Sequence, residues 1–281
     1  MNVESYAKIN IGLRIVGKRP DGYHELETLF QQISLSDQLY FRAADELTLE
    51  TSNPLCPNDA SNLIFRAAVL LRPFAQTLQK GCRIRLVKNI PMGAGLGGGS
   101  SNAATALKAL NHLWNCGLSN SQLQQLATAL GSDVPFFLLG GLALGKGRGE
   151  ILTPLTQKPL YTGILVAPGF AVSTKTVYEK LNLTLTISGK ISKFSAFGRA
   201  FPAFSMWKTL FRNDLESVVF REHPVLEALV RRFYSFGAFY AAMSGSGSSV
   251  FGLFENEEVA VQANKELQRF YRTFLFKPLY T

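Results

Sequence analysis

The chain has 281 residues, 47% apolar and 17% charged, a balance that excludes disordered and collagen-like classes and can fill a sizeable core, here divided between two domains. Its longest apolar stretch, Val134 to Leu144, is interrupted by Gly140 and Gly141 and falls short of the ~20 residues a spanning helix needs, so no membrane segment or membrane partner is expected. The net charge of +9 is concentrated: between Asp59 and Glu150 only Asp133 is acidic, against nine cations, a field suited to a polyphosphate, to a nucleic-acid backbone, or to solubility alone.

In chain order, Ala7, Ile9, Ile11, Leu13 and Ile15 alternate with Lys8, Asn10, Gly12 and Arg14, which predicts a half-buried strand with a solvated polar face. The Gly17–Gly22 run supplies turn residues and predicts a β-hairpin with a second strand near 25–35. Asn62 is placed to cap a helix over 63–71 that stops by Arg72, because Pro73 follows. Residues 82–87 alternate again as a strand, and after the glycine run at 93–99 the residues Ala103, Leu107, Leu110 and Trp114 recur at helical spacing. A short amphipathic helix to about Leu130 follows, and GSDVPFF is read as turning the chain toward a hairpin at 140–149. The second half predicts a strand at 163–166, a loop at Pro168-Gly169, a helical stretch from Thr174 and an aperiodic segment from Ser188 to Met206. It closes with strand, serine-glycine loop and strand over 236–254, then the helical run EEVAVQANKELQRF. The N-terminus carries Glu4 and Lys8 where an export signal needs an apolar or Arg/Ser-rich run, so a cytoplasmic location is expected. Cys56, Cys82 and Cys116 lack any CxxC pairing and are expected as reduced thiols rather than disulfides or zinc ligands.

The chemistry concentrates in Pro91-Met92-Gly93-Ala94-Gly95-Leu96-Gly97-Gly98-Gly99-Ser100-Ser101-Asn102. Its glycines let backbone amides converge on a phosphate, and the helix that follows adds the positive end of its dipole. The bland alternative is a structural turn. Gly93-x-Gly95-x-x-Gly98 matches the dinucleotide fingerprint, but the acidic ribose partner ~20 residues on is missing. Gly140 to Lys146 spells GxxxxGK without the following Ser/Thr and is read as a hairpin turn. Asp133, alone among cations, suits proton acceptance or metal binding, with helix capping as the structural alternative. Tyr23 and His24 follow the Asp21-Gly22 turn, where an aromatic pair stacks on a base or packs on the hairpin. No RNP-type aromatic strand or basic tail is present, so no nucleic-acid partner is expected, although an RNA-binding protein is the rival reading from a different class.

Taken together, Ala7-Lys8-Ile9-Asn10, the Gly17–Leu26 run with Tyr23-His24, Pro91–Ala104 and Gly131-Ser132-Asp133-Val134-Pro135 resemble the GHMP small-molecule kinases. Asn62-Leu63-Ile64, Val172-Ser173-Thr174, Asn213-Asp214-Leu215-Glu216 and Met243–Gly247 extend the resemblance from residue 7 to about 254, and DGYHEL with GLGGGSSNAA marks one branch. Tyr6 stands where many relatives have Pro, and residues 185–205 match little. The resemblance implies an α+β fold of two domains, 1–152 like ribosomal S5 domain 2 and 153–281 ferredoxin-like, with the active site in the cleft between them. ATP would be the phosphoryl donor and a small alcohol carrying a cytidine diphosphate the acceptor, on a route to isoprenoid precursors; mevalonate, homoserine or a sugar are the sister substrates. By the same resemblance Asp133 is the base, and Lys8 orients it and offsets phosphoryl charge. The triphosphate would lie on Pro91, Gly93, Gly95, Leu96, Gly97, Gly98, Gly99, Ser100 and Ser101, with Asn62 and Lys88 bordering the adenine. The cytosine would sit between Tyr23 and Tyr178 and be read by His24, while Asn10 and Thr174 address the reacting end. No protein metal site is implied, since Mg2+ would be held mainly by ATP oxygens and water.

Overall fold

The opening alternation becomes β1 (Asn2–Lys18), whose burial differs from the expected half-exposed ribbon: every residue from Ala7 to Leu13 is buried, Lys8 and Asn10 included. Burial of the polar face is tolerated because each polar group there finds a partner, as detailed below. The computed structural model describes residues 1–20, 22–182 and 201–281. Asp21 of the first turn and positions 188–200 of the aperiodic segment therefore lie outside the described residues.

The chain continues through β2 (His24–Ala44), β3 (Leu47–Thr51), α1 (Leu63–Leu71), β4 (Gly81–Val87), α2 (Gly98–Leu113), α3 (Asn120–Leu130) and α4 (Val134–Leu139). Then come β5 (Leu142–Lys146), β6 (Ile151–Pro154), β7 (Thr162–Ala167), α5 (Thr174–Asn182), α6 (Trp207–Leu210), α7 (Glu216–Glu222) and α8 (Pro224–Ser235). The last elements are β8 (Tyr240–Met243), β9 (Val250–Phe254), α9 (Glu257–Leu267) and β10 (Arg272–Phe276). These residues form two compact units that interleave along the sequence. One comprises Met1–Ala7, Leu35–Pro91 and Gly97–Gly140, the other Lys8–Ser34, Met92–Leu96 and Gly141–Thr281.

In the first unit β3 runs parallel to β4, and β4 runs antiparallel to the end of β2, with Leu39 opposite Leu86 and Phe41 opposite Ile84. Alternation separates the faces: Leu39, Phe41, Cys82, Ile84 and Leu86 are buried, whereas Arg42, Arg83 and Arg85 are exposed. β2 outruns its expected end at 35 because this pairing continues to Ala44. α1 begins and ends where capping and Pro73 predict, with the Asn62 side chain accepting from the Ile64 amide at 2.9 Å. It packs on α2, which buries a small-residue face of Ala103, Ala104, Ala106 and Ala109 with Leu107 and Leu110. Trp114 at the end of α2 donates from Nε1 to the Gly81 carbonyl at 3.2 Å. GSDVPFF does not simply turn the chain. Val134–Leu139 is a short helix, started by Pro135 in its first turn and sunk by Phe136 and Phe137.

In the second unit the start of β2 pairs antiparallel with β5, and β5 with β6. The GxxxxGK run was expected as a turn but Leu142–Lys146 is strand, and the reversal falls at Gly147–Glu150. Gly145 fits that strand because a Cβ there would stand 2.5 Å from the Phe30 ring. A separate antiparallel sheet has the order β10-β7-β9-β8. α8 packs on β8 and β9, and α9 on β7 and β10. Their shared core contains Leu13, Ile164, Val166, Leu215, Leu229, Phe233, Met243 and Phe254. The expected strand-loop-strand and final helix appear as β8, β9 and α9, whereas α7, α8 and β10 are elements the pattern reading passed over. Among the described residues all three cysteines are free thiols, and burial pushes Cys82 up to about 11. No described helix is long and apolar enough to cross a membrane.

Candidate active site

In the first unit the glycine run feeds α2 directly. Gly97 occupies the N-cap position in the left-handed region at φ 66°, so the amides of the first turn have no carbonyl behind them and carry the positive end of the helix dipole. The glycines here serve different ends. A Cβ on Gly98 would stand 2.8 Å from Lys88 Nζ and 2.9 Å from Ile90 Cγ2, so packing requires its absence. A Cβ on Gly99 would meet nothing within 4 Å, which leaves an open approach to the backbone beside exposed Gly99. Ser100 is half-buried in the same turn. Ser101 faces inward, its Oγ 2.8 Å from Ser5 Oγ with both residues buried.

Two expected adenine neighbours are also here. Lys88 forms a buried ion pair with Asp37, and Asn62 spends its side chain on the α1 cap, with Nδ2 donating to the Pro57 carbonyl at 2.6 Å. Half-buried Pro91 leads into the glycine run. Asp133 stands at the N-cap position of α4, half-buried, yet its side chain makes no capping hydrogen bond to that helix among the described residues. The structural alternative for this carboxylate therefore lacks the bond that would define it.

In the second unit Lys8 is 4% exposed, and its Nζ donates to Asn10 Oδ1 at 2.6 Å and to the Gly95 carbonyl at 3.0 Å. Asn10 Nδ2 donates to Thr28 Oγ1 at 2.8 Å, and Thr28 Oγ1 donates in turn to the Gly12 carbonyl at 2.7 Å. Asn10 thus holds Lys8 through one amide atom and the β2 strand through the other. Gly95 is the junction. Its carbonyl also accepts from Ser244 Oγ at 2.9 Å, its φ is +76°, and a Cβ would lie 1.9 Å from the Ser244 carbonyl oxygen. The serine-glycine loop after β8 therefore grips the Met92–Leu96 segment, and Asn213 fixes that loop by donating to the carbonyls of Met243 and Gly245 at 2.9 and 2.7 Å.

The residues expected at a base and its attached chain lie in this unit as well. His24 is buried, with its ring 5.1 Å from the Tyr178 ring at an interplanar angle of 30°. Tyr23 is 57% exposed, and the Arg148 guanidinium carbon lies 4.7 Å from its ring centroid. Thr174, exposed at the start of α5, has Oγ1 2.7 Å from Ser246 Oγ. The sequence reading gave no role to two acids, buried Asp37 and half-buried Glu216. Asp37 sits in the polar Ser36-Asp37-Gln38 run of β2, and Glu216, beside the serine-glycine loop, accepts from the Met243 amide at 2.8 Å. Burial, and secondarily Asp214, raise the Glu216 carboxyl to about 7, against the lowering effect of that hydrogen bond.

A family model for the GHMP kinases N terminal domain matches residues 62–141, across α1, the glycine loop and Asp133, and one for the GHMP kinases C terminal matches residues 199–273. Fold and loop together thus define an ATP-dependent small-molecule kinase of the GHMP class. The chain is 42% identical over 275 residues to a curated 4-diphosphocytidyl-2-C-methyl-D-erythritol kinase from Prosthecochloris aestuarii (strain DSM 271 / SK 413), an alignment covering 97% of this chain and 95% of that one. A crystal structure of 4-(cytidine 5'-diphospho)-2C-methyl-D-erythritol kinase is similar with TM-score 0.82 and 36% identity over 99% of both chains. The Methanococcus jannaschii mevalonate kinase, 17% identical with TM-score 0.74 over 99% of this chain and 98% of its own, shares the fold. The chain belongs to the 4-diphosphocytidyl-2-C-methyl-D-erythritol kinase family.

Proposed function

We propose that this protein transfers the γ-phosphoryl group of ATP to the 2-hydroxyl of 4-diphosphocytidyl-2-C-methyl-D-erythritol, a step of the non-mevalonate route to isoprenoid precursors. The observation that carries the reading is Lys8, a buried ammonium held against the carbonyl of Gly95 inside the glycine loop. Burying a charge is costly unless it is bonded and used, and a phosphoryl acceptor site uses fixed positive charge. The substrate oxygen forms a bond to phosphorus, the bond from γ-phosphorus to the bridging oxygen breaks, and ADP leaves. Asp133 takes the hydroxyl proton, while Lys8 stabilises charge on the transferring group. The amides of Gly97, Gly98 and Gly99 and the Ser100 hydroxyl hold phosphate oxygens; Ser101 supports them from the interior.

The relatives' shared name supports the cytidyl substrate, and so does the placement of a buried imidazole against Tyr178, with Tyr23 exposed nearby in sequence to offer a ring to a base. Thr174 addresses the methylerythritol end, and Asn10 acts by holding Lys8. Lys88 and Asn62 border the adenine through the backbone they fix. Mg2+ arrives with the nucleotide, held mainly by its phosphate oxygens and by water, the ligands this ion prefers. A division into functional domains at 152/153 is supported by the two family matches, which fall on either side of it.

Release of ADP, measured with the cytidyl compound, mevalonate and homoserine in parallel, tests the reading. Turnover with the cytidyl compound alone is expected; equal or greater turnover with either of the others would overturn the substrate assignment.

A further inference from the structure

Asp37 is fully buried in β2, in the first unit, and among the described residues the four hydrogen bonds of its carboxylate converge from the two segments that flank the glycine loop. Its Oδ1 accepts from the amides of Asn89 and Ile90 at 2.7 and 2.8 Å. Its Oδ2 accepts from Lys88 Nζ and, at 2.9 Å, from Asn102 Nδ2. Asn89 and Ile90 are the last residues before Pro91, and Asn102 lies in the opening turns of α2 just after Ser101. The network closes on itself, because Lys88 Nζ also donates to Asn102 Oδ1 at 3.3 Å and Asn102 Nδ2 to Ser5 Oγ at 2.9 Å.

From this geometry we infer that Asp37 is a positioning residue for the nucleotide, fixing the entry and the exit of the glycine loop to one carboxylate. A loop rich in glycine loses much conformational freedom when it orders around a phosphate, and a loop whose ends are already fixed loses less. A buried ion pair alone would need only Lys88. The two backbone amides before the loop and the Asn102 amide after it are what give Asp37 this further role. Lys88 adds to the effect, since its ammonium occupies the space that a side chain on Gly98 would need. The inference rests on the reading of the loop as the ATP site.

The test is steady-state kinetics on the full-length enzyme, with each substrate varied separately and a melting curve for each variant. Asn102→Ala removes one of the four bonds and leaves the Asp37–Lys88 pair intact; Asp37→Asn removes the charge. Both are expected to raise KM for ATP roughly 5-fold to 50-fold while KM for the cytidyl compound stays within about 2-fold of wild type. A lower melting temperature with both KM values unchanged, or with both raised in parallel, would show a purely structural carboxylate and overturn the inference. Where Asp37→Asn fails to fold, Asn102→Ala decides by the same two KM values. A wild-type enzyme that does not consume ATP would instead sink the kinase reading, which separates the two failures.

Discussion

Replacing Asp133 by Asn preserves shape and removes only the capacity to accept a proton, so kcat should fall by ~10²-fold to 10⁴-fold with KM for ATP nearly unchanged. Retention of more than half the wild-type turnover would contradict a base at this position. Asp133 stands out in the sequence because it is alone among cations, whereas Asp37 and Glu216 do not: a single acid in a strand or at a helix start reads as solvated, and only the fold buries Asp37 and half-buries Glu216. Glu216 gives a pH dependence of definite sign. With a carboxyl at about 7 in the folded chain against 4.5 in the unfolded one, both states hold the proton below pH 4.5 and Glu216 costs nothing there. As pH rises from 4.5 the unfolded chain releases the proton first, so stability declines until about pH 7, above which the full cost of about 3 kcal/mol remains. Glu216→Gln keeps an oxygen for the Met243 amide and removes the ionisation. Its melting temperature should exceed wild type at pH 8 and match it near pH 4.5, and a lower value at pH 8 would contradict the assignment.

The strand, glycine loop and helix were readable as a sequence of elements because periodicity switches from 2 to 3.6 around a run that only turns tolerate. The pattern did not say which glycine is needed by the protein and which by its ligand. Gly95→Ala would force a side chain into the left-handed region and against the Ser244 carbonyl, a backbone atom that cannot swing aside, and should destabilise the protein by about 3 kcal/mol or more. Gly99→Ala meets open space inside a helix and should leave stability unchanged or raise it by ~0.5 to 1 kcal/mol, yet raise KM for ATP by roughly 10-fold. Denaturant melts with ATP kinetics on both variants separate the two effects; a Gly99→Ala enzyme with wild-type ATP kinetics would contradict the phosphate approach. The burial of Lys8 and Asn10 was illegible for a related reason. Alternation marks one apolar face of β1, but a polar face is buried only when bonds such as Lys8 to Gly95 and Asn10 to Thr28 are supplied from sequence-distant segments.

At the scale of the whole molecule, motifs spread from residue 7 to about 254 were enough to place the chain in its superfamily, while the interleaving of the two units follows from long-range pairing that no local window contains. The specificity claim belongs to this scale too. Stacking of a base on an aromatic ring is worth ~1 to 3 kcal/mol, so Tyr23→Ala or Tyr178→Ala should raise KM for the cytidyl compound by roughly 5-fold to 150-fold and leave KM for ATP near its original value. An unchanged KM for the cytidyl compound in both variants would remove the tyrosines from base recognition. The most direct test of the central claim is phosphorus NMR of a reaction containing the enzyme, ATP, Mg2+ and 4-diphosphocytidyl-2-C-methyl-D-erythritol. The account predicts one new phosphomonoester, coupled to the methylerythritol unit and formed in step with ADP, with the cytidine diphosphate linkage intact. Formation of ADP with inorganic phosphate alone, or cleavage of that linkage, would contradict it.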